Sequence, residues 1–209
     1  MIMKKRIGLY GGTFDPPHNG HVYAAGMFLE KMSLDRLFIM PANIPPHKRI
    51  SVYDDPHLRL EMCKAAFENI DGVEVSDYEI LKKGVSYTVD TLNYLSGCDR
   101  EIYMLCGDDM LLSLSSWRRA EEIFSLAHIV CMRRYNTDDE KLRECAESYR
   151  KIYGADVYLI DETAVPISST EIRERLSLGE SCESFLPSAV EKYIEKHGLY
   201  GKGIGKSEE

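Results

Sequence analysis

Short apolar runs alternate with amphipathic stretches along most of the chain. Residues 6–10 form an apolar run that closes on Gly11-Gly12 and predicts a strand. Asn19 follows as a helix cap, and residues 21–32 carry Val22, Ala25, Met27, Phe28 and Leu29 at helical spacing. A second strand spans 36–40 and stops at Pro41, and Pro45-Pro46 make 42–54 a loop. The pattern then predicts a helix over 56–67 capped by Asp55, a strand over 73–75 and a helix over 87–95. A strand over 101–106 and short helices over 108–114 and 120–124 follow. The last elements are strands over 128–132 and 156–160 and helices over 137–153, 169–178 and 187–196.

Strands joined through helices imply an α/β fold, with a mostly parallel sheet covered by helices on both faces. No Gly/Ser linker or composition shift divides the chain, and no repeat is visible. One domain over 1–200 is expected, with the polar, Gly-rich stretch 201–209 as a disordered tail. A 209-residue domain buries roughly 70–75% of its unfolded surface, so it needs no disulfide staples.

Composition narrows the partners. The chain has 26 Lys+Arg against 34 Asp+Glu, a net charge of −8. That balance argues against general binding to nucleic acid or anionic membrane, yet leaves room for a small anion met by local positive charge. The six cysteines form no C-x-x-C pair and read as small buried hydrophobes of a reducing compartment. No signal-peptide core follows the basic N-terminus. The uncharged run 123–132 falls far short of the ~20 residues of a membrane helix, so a cytoplasmic location is expected.

The most informative stretch is Gly11-Gly12-Thr13-Phe14-Asp15-Pro16-Pro17-His18-Asn19-Gly20-His21. In open α/β sheets, ligands bind outside the carboxyl ends of the strands. Glycines there permit a tight turn and close backbone approach, and the following helix start offers free N–H groups to phosphate. His18 and His21 project to one side, can donate to phosphate oxygens and can gain charge as those oxygens do. Asp15 with the two histidines is an alternative metal site, and two structural histidines are another. No Walker or dinucleotide fingerprint is present.

Near the chain end, Ser168-Ser169-Thr170-Glu171-Ile172-Arg173 places hydroxyls at a helix start, with Ser169 as the cap. Arg173, one turn in, can fork onto a phosphate. The plain alternative is an ordinary capping box with a surface Arg.

These two strings resemble the H-x-G-H and S-S-T-x-[IV]-R signatures of the nucleotidyltransferase superfamily, a Rossmann-like fold. Lys31-Met32-Ser33-Leu34 looks like the K-M-S-K loop of class I aminoacyl-tRNA synthetases, but lies at the end of the same predicted helix and is read as coincidence. Three further segments resemble nicotinate-nucleotide adenylyltransferases: Pro45-Pro46-His47-Lys48, Ser86-Tyr87-Thr88-Val89-Asp90-Thr91-Leu92, and Gly107-Asp108-Asp109-Met110 followed by Trp117. Asp108 and the run Arg133-Arg134-Tyr135-Asn136 depart from the usual pattern, and no role is carried to them.

The resemblance implies transfer of AMP from ATP to nicotinate mononucleotide, giving deamido-NAD and pyrophosphate. It implies catalytic roles for His18, His21, Lys48 and Arg173. It implies ATP contacts from Gly11, Gly12, Thr13, Phe14, His18, Gly20, His21, Gly107, Asp109, Ile167, Ser168, Ser169, Thr170 and Arg173. Mononucleotide contacts are implied for Gly12, Asp15, Lys48, Tyr87, Thr88, Asp109 and Trp117, the last stacking on the pyridine ring. Mg²⁺ would be carried with ATP rather than held in a protein cage. The alternatives are another nucleotidyltransferase, such as a pantetheine-phosphate adenylyltransferase, and a non-catalytic nucleotide sensor. Oligomeric state is left open.

Overall fold

The computed structural model describes residues 4–46, 55–133, 138–160 and 166–201. Lys48, Arg134 to Asn136 and 202–209 therefore lie outside the described residues. Six strands form one sheet: β1 (Lys5–Gly12), β2 (Arg36–Pro41), β3 (Val73–Val75), β4 (Arg100–Gly107), β5 (Ala127–Met132) and β6 (Val157–Ile160). Their order is β3-β2-β1-β4-β5-β6, and every pairing is parallel. The chain leaves β1 in one direction across the sheet and resumes at β4 in the other, so the order reverses between these neighbours.

The central strands are apolar without interruption because both faces are covered. In β4, Ile102, Met104 and Cys106 join one core, while Tyr103 and Leu105 join the other. Helices α1 (Asn19–Lys31) and α2 (Pro56–Phe67) cover the second core through Ala24, Ala25, Phe28, Cys63 and Phe67. Phe28 is fully buried, a transfer that contributes about 1.5–3 kcal/mol.

On the opposite face lie α4 (Thr88–Leu95), α5 (Asp108–Ser113), α6 (Ala120–Leu126) and α7 (Asp139–Tyr153). The five-residue α3 (Tyr78–Lys82) comes just before α4. A third core gathers Met62 of α2 with Ile172, Cys182, Leu186, Val190 and Ile194. It seats α8 (Ser169–Leu178) and α9 (Ser188–His197) against α2 rather than on the sheet. Among the described residues, no helix is long and apolar enough to cross a membrane.

Three expectations are corrected. Asn19 is the first residue of α1 and not its cap. His18 holds the cap position, and the Asn19 side chain donates to the carbonyl of Ser184 at 3.1 Å. At α8 the capping hydroxyl is that of Ser168, which accepts from the Glu171 amide at 3.1 Å, so Ser169 Oγ is free to reach elsewhere. Helix α3 has no counterpart in the expected pattern, because five residues with Leu81 largely exposed carry no helical period. Cys98 is exposed, unlike the four fully buried cysteines, and all six are reduced.

Candidate active site

The strand order reverses between β1 and β4, and their carboxyl ends open the crevice where α/β sheets bind ligands. Gly11-Gly12 end β1 there, and Gly107 ends β4 as the cap residue of α5. After Gly12 the backbone turns at Phe14, whose φ is +53°. Its ring is buried and packs edge-on against Tyr10 (5.4 Å), His21 (5.0 Å) and Phe67 (6.2 Å). A Cβ on Gly12 would sit 3.0 Å from that ring, so Gly12 keeps the turn close-packed. Phe14 is thus a wedge under the loop, with its side chain turned to the core.

His18 and His21 stack with ring centroids 3.6 Å apart. The His18 amide donates to Nδ1 of His21 at 3.1 Å, which leaves Nε2 as the nitrogen of His21 that carries the proton. A proton on Nδ1 would displace that amide bond. Gly20, between the two histidines in sequence, is buried.

The second signature is docked on the first. Ser169 Oγ donates to the Pro16 carbonyl at 2.9 Å. Arg173 donates to the Asp15 carbonyl at 2.6 Å and lies 3.6 Å from the Asp15 carboxylate. It also reaches Thr170 Oγ1 at 3.3 Å. Ile167 packs into the third core. Two helix starts, residues 18–21 and 168–170, are thereby joined across the sequence. The Asp15 carboxylate is engaged within the protein, since Tyr200 donates to its Oδ1 at 2.5 Å. Asp15 thus ties the loop after β1 to α8 and to Tyr200.

At the end of β4, Asp109 is exposed beside the crevice. Asp108 is buried and its Oδ1 accepts the Asp109 amide at 2.8 Å, which explains a residue that sequence reasoning left without a role. Tyr87 caps α4 and Thr88 is its first residue, so Thr88 lies where the helix amides are free. The Arg118 guanidinium lies 4.5 Å from the centre of the Tyr87 ring, which brings the segment around Trp117 next to α4. Half-buried Trp117 lines a shallow cavity of about 480 Å³ with Ser115, Arg119, Glu121, Glu122 and Tyr153, apart from the histidine pair. The look-alike tetrapeptide at Lys31 sits at the opposite end of α1 from the histidines. Arg133 is paired with Asp139, whose carboxyl the guanidinium holds below the usual carboxylate range.

Sequence reasoning missed Arg59, Glu79, Arg118 and Tyr200. Arg59 is 1% exposed and donates to the carbonyls of Thr13 (2.8 Å) and Asn43 (3.1 Å). Its signal was available, because it occupies a position on α2 where the apolar stripe expects a hydrophobe. Among the described residues, no three His, Cys, Asp or Glu side chains cluster as a metal site would need.

The profile of the Cytidylyltransferase-like family matches residues 9–175. A Clostridium botulinum (strain Eklund 17B / Type B) protein named "Probable nicotinate-nucleotide adenylyltransferase" is 39% identical over 94% of this chain and 98% of its own. A Desulfitobacterium hafniense (strain Y51) protein of the same name is 40% identical over 94% and 96%. The chain belongs to the nicotinate-nucleotide adenylyltransferase family. The family fold is seen in Plasmodium falciparum nicotinic acid mononucleotide adenylyltransferase complexed with APC, which is 19% identical. It superposes with a TM-score of 0.73 over 94% of this chain and 97% of that one. The same protein complexed with NaAD gives 0.71 at 20% identity. Across the family profile, both signatures of this chain fall at the carboxyl edge just described.

Proposed function

We propose that the protein transfers AMP from ATP to nicotinate mononucleotide, releasing pyrophosphate and forming deamido-NAD. The observation that carries this reading is the docking of Ser169 and Arg173 onto Asp15-Pro16. It places two helix starts, two stacked histidines and a guanidinium at one crevice.

In the reaction, an oxygen of the mononucleotide phosphate attacks the α-phosphorus of ATP in line. A new P–O–P bond forms as the bond from the α-phosphorus to the β-phosphate oxygen breaks, and the electron pair leaves with pyrophosphate. Two anions must meet and charge must be spread over oxygens, so catalysis is positioning plus electrostatic stabilisation. His21 donates through Nε2, and His18 and the amides of α1 lie beside it. Arg173 and the Ser168–Thr170 turn of α8 receive the departing phosphates. Lys48 supplies a further point charge, and Asp109 accepts from ribose hydroxyls. Thr88 with the first amides of α4 receives the nicotinate carboxylate, and Trp117 offers a face to the pyridine ring.

Mg²⁺ bound to the ATP phosphates would neutralise charge on the leaving group. The donor set fits an ion carried by phosphate, since the Asp15 carboxylate is already engaged by Tyr200 and Arg173. The reading also includes one domain over 1–200, a cytoplasmic location, and no nucleic-acid or membrane partner. It leaves monomer against homo-oligomer to sedimentation.

The test is pyrophosphate release from ATP with one acceptor at a time. Release with nicotinate mononucleotide, less with nicotinamide mononucleotide and none with phosphopantetheine is the expected result. Release with phosphopantetheine alone, or with no acceptor, overturns it.

A further inference from the structure

Helix α4 begins with the Tyr87-Thr88 pair, and a single buried carboxylate grips it from both sides. Glu79 lies on α3 and is 8% exposed. Thr91 Oγ1, three residues after Thr88, donates to Glu79 Oε1 at 2.5 Å. Ser86, two residues before Thr88, has its hydroxyl beside the same side chain, where it opposes the upward push of burial on the Glu79 carboxyl. That hydroxyl accepts the Asn43 amide at 2.9 Å, which leaves its own proton available to the carboxylate. Ser86 and Thr91 belong to the S-Y-T-x-D-T-L segment, whose outer hydroxyls are thereby accounted for by one residue outside it.

The connection continues across the crevice. The Asn43 carbonyl accepts from Arg59, and Arg59 donates through its other terminal nitrogen to the Thr13 carbonyl. Asn43 Nδ2 holds the Gly84 carbonyl at 2.9 Å, and the Ser86 amide donates to Ile44 at 2.9 Å. A chain of polar contacts, buried at Glu79–Thr91 and half-buried at Arg59–Asn43–Ser86, thus runs from the glycine-rich loop after β1, past the end of β2, to the flanks of the α4 start. Polar groups that are hydrogen-bonded to one another rigidify what they join.

We propose that Glu79 and Arg59 are positioning residues that set the α4 start at a fixed place relative to the β1 loop. This orients the mononucleotide phosphate toward the α-phosphorus. The inference rests on the proposed adenylyl transfer and adds to it a device that neither signature contains. Glu79 acts on the mononucleotide side and Arg59 on both sides, because Arg59 alone touches the β1 loop.

The test uses Glu79→Ala, Glu79→Gln, Arg59→Lys and the Glu79→Ala/Arg59→Lys double variant. Each substrate is varied separately, and amide hydrogen exchange is read on the same proteins. Glu79→Ala is expected to raise KM for nicotinate mononucleotide at least tenfold, with KM for ATP within twofold. Glu79→Gln, which keeps an acceptor, recovers most of that loss. The double variant loses less in kcat/KM than the product of the two single losses, because both cut one relay. Exchange of the Asn43 and Ser86 amides speeds at least tenfold in Glu79→Ala and in Arg59→Lys, the latter at a residue that touches neither Ser86 nor Glu79. A melting temperature that falls while the KM ratio stays fixed marks a purely structural role and overturns the proposal. So does unchanged exchange at Ser86 in Arg59→Lys. If the wild-type protein releases no pyrophosphate with nicotinate mononucleotide, the function reading fails by itself, and the relay is decided by the exchange data.

Discussion

The amide of His18 donates to Nδ1 of His21, so the turn that begins α1 also selects the tautomer of its second histidine. The proton sits on Nε2, the nitrogen on the far side of the ring from that bond. Stacking at 3.6 Å on the His18 ring limits the rotation of His21 further.

Removal of this donor should act on the transition state more than on binding. His21→Ala is expected to lower kcat 100-fold or more, on the order of the 3 kcal/mol typical of one preorganised donor. His21→Gln can place an amide N–H near the Nε2 position and should lose about tenfold less. Single-turnover rates with both substrates saturating check this. Equal losses for Ala and Gln would remove the tautomer argument.

The Asp15 carboxylate lies between Tyr200 and Arg173. Tyr200→Phe removes one hydrogen bond to a charged group and should cost about 1–2 kcal/mol of stability, at the low end because Asp15 is partly exposed. It should also loosen Arg173 and lower the rate several-fold. Ending the chain at residue 201 keeps Tyr200 and should change neither property, whereas ending it at 199 should reproduce Tyr200→Phe or worse. Urea unfolding and initial rates on the three proteins test the pair of statements together.

Most of the architecture was legible because its signals are strong. The apolar runs of β1, β4 and β5 are bounded by Gly or charge, and the predicted strand at Val73–Val75 and helices at Pro56–Phe67 and Ser169–Leu178 match the observed bounds. Cap identities slipped by one residue at α1 and α8, where two adjacent polar residues compete for one geometric position. The two signature strings were legible as motifs, but their joining was not, since Ser169 to Pro16 and Tyr200 to Asp15 are contacts across most of the chain length. Glu79 and Arg59 were missed for a related reason. The break that Arg59 makes in the apolar stripe of α2 marks burial but not its partners, and Glu79 sits in a helix too short to carry a period; the carbonyls and hydroxyl they bond come from other elements.

Glu79 also gives the fold a pH dependence of definite sign. Burial pushes its carboxyl above the ordinary value near 4.5, opposed by the hydroxyls of Ser86 and Thr91 and by the charge of Lys82, with Asp90 adding to the rise. A raised carboxyl binds its proton more tightly in the folded than in the unfolded chain. Stability from this group is therefore present below the unfolded value and is lost as pH rises through the folded one. Glu79→Gln removes that slope whatever constant offset it adds. The unfolding free energy of wild type relative to Glu79→Gln should fall steadily from pH 4.5 toward neutrality. Parallel curves for the two proteins in urea titrations across that range would contradict the assignment.

Gly8 tests how tightly α1, and with it the histidine turn, is seated on the sheet. A Cβ at Gly8 would lie 2.5 Å from Leu34 Cδ1, 2.8 Å from Leu37 Cδ1 and 3.1 Å from Phe28 Cε1. Leu37 and Phe28 are fully buried and have little room to retreat. Gly8→Ala should therefore cost about 1–3 kcal/mol, the usual range for overpacking a filled core. The clash lies on the sheet side of the C-terminal half of α1, whereas the histidine turn is anchored separately by the Asn19 amide to the Phe185 carbonyl at 2.9 Å. The expected result is a lower melting temperature with kcat within threefold of wild type at 25 °C. A large loss of kcat with unchanged stability would mean instead that α1 transmits strain from its packing face to His21.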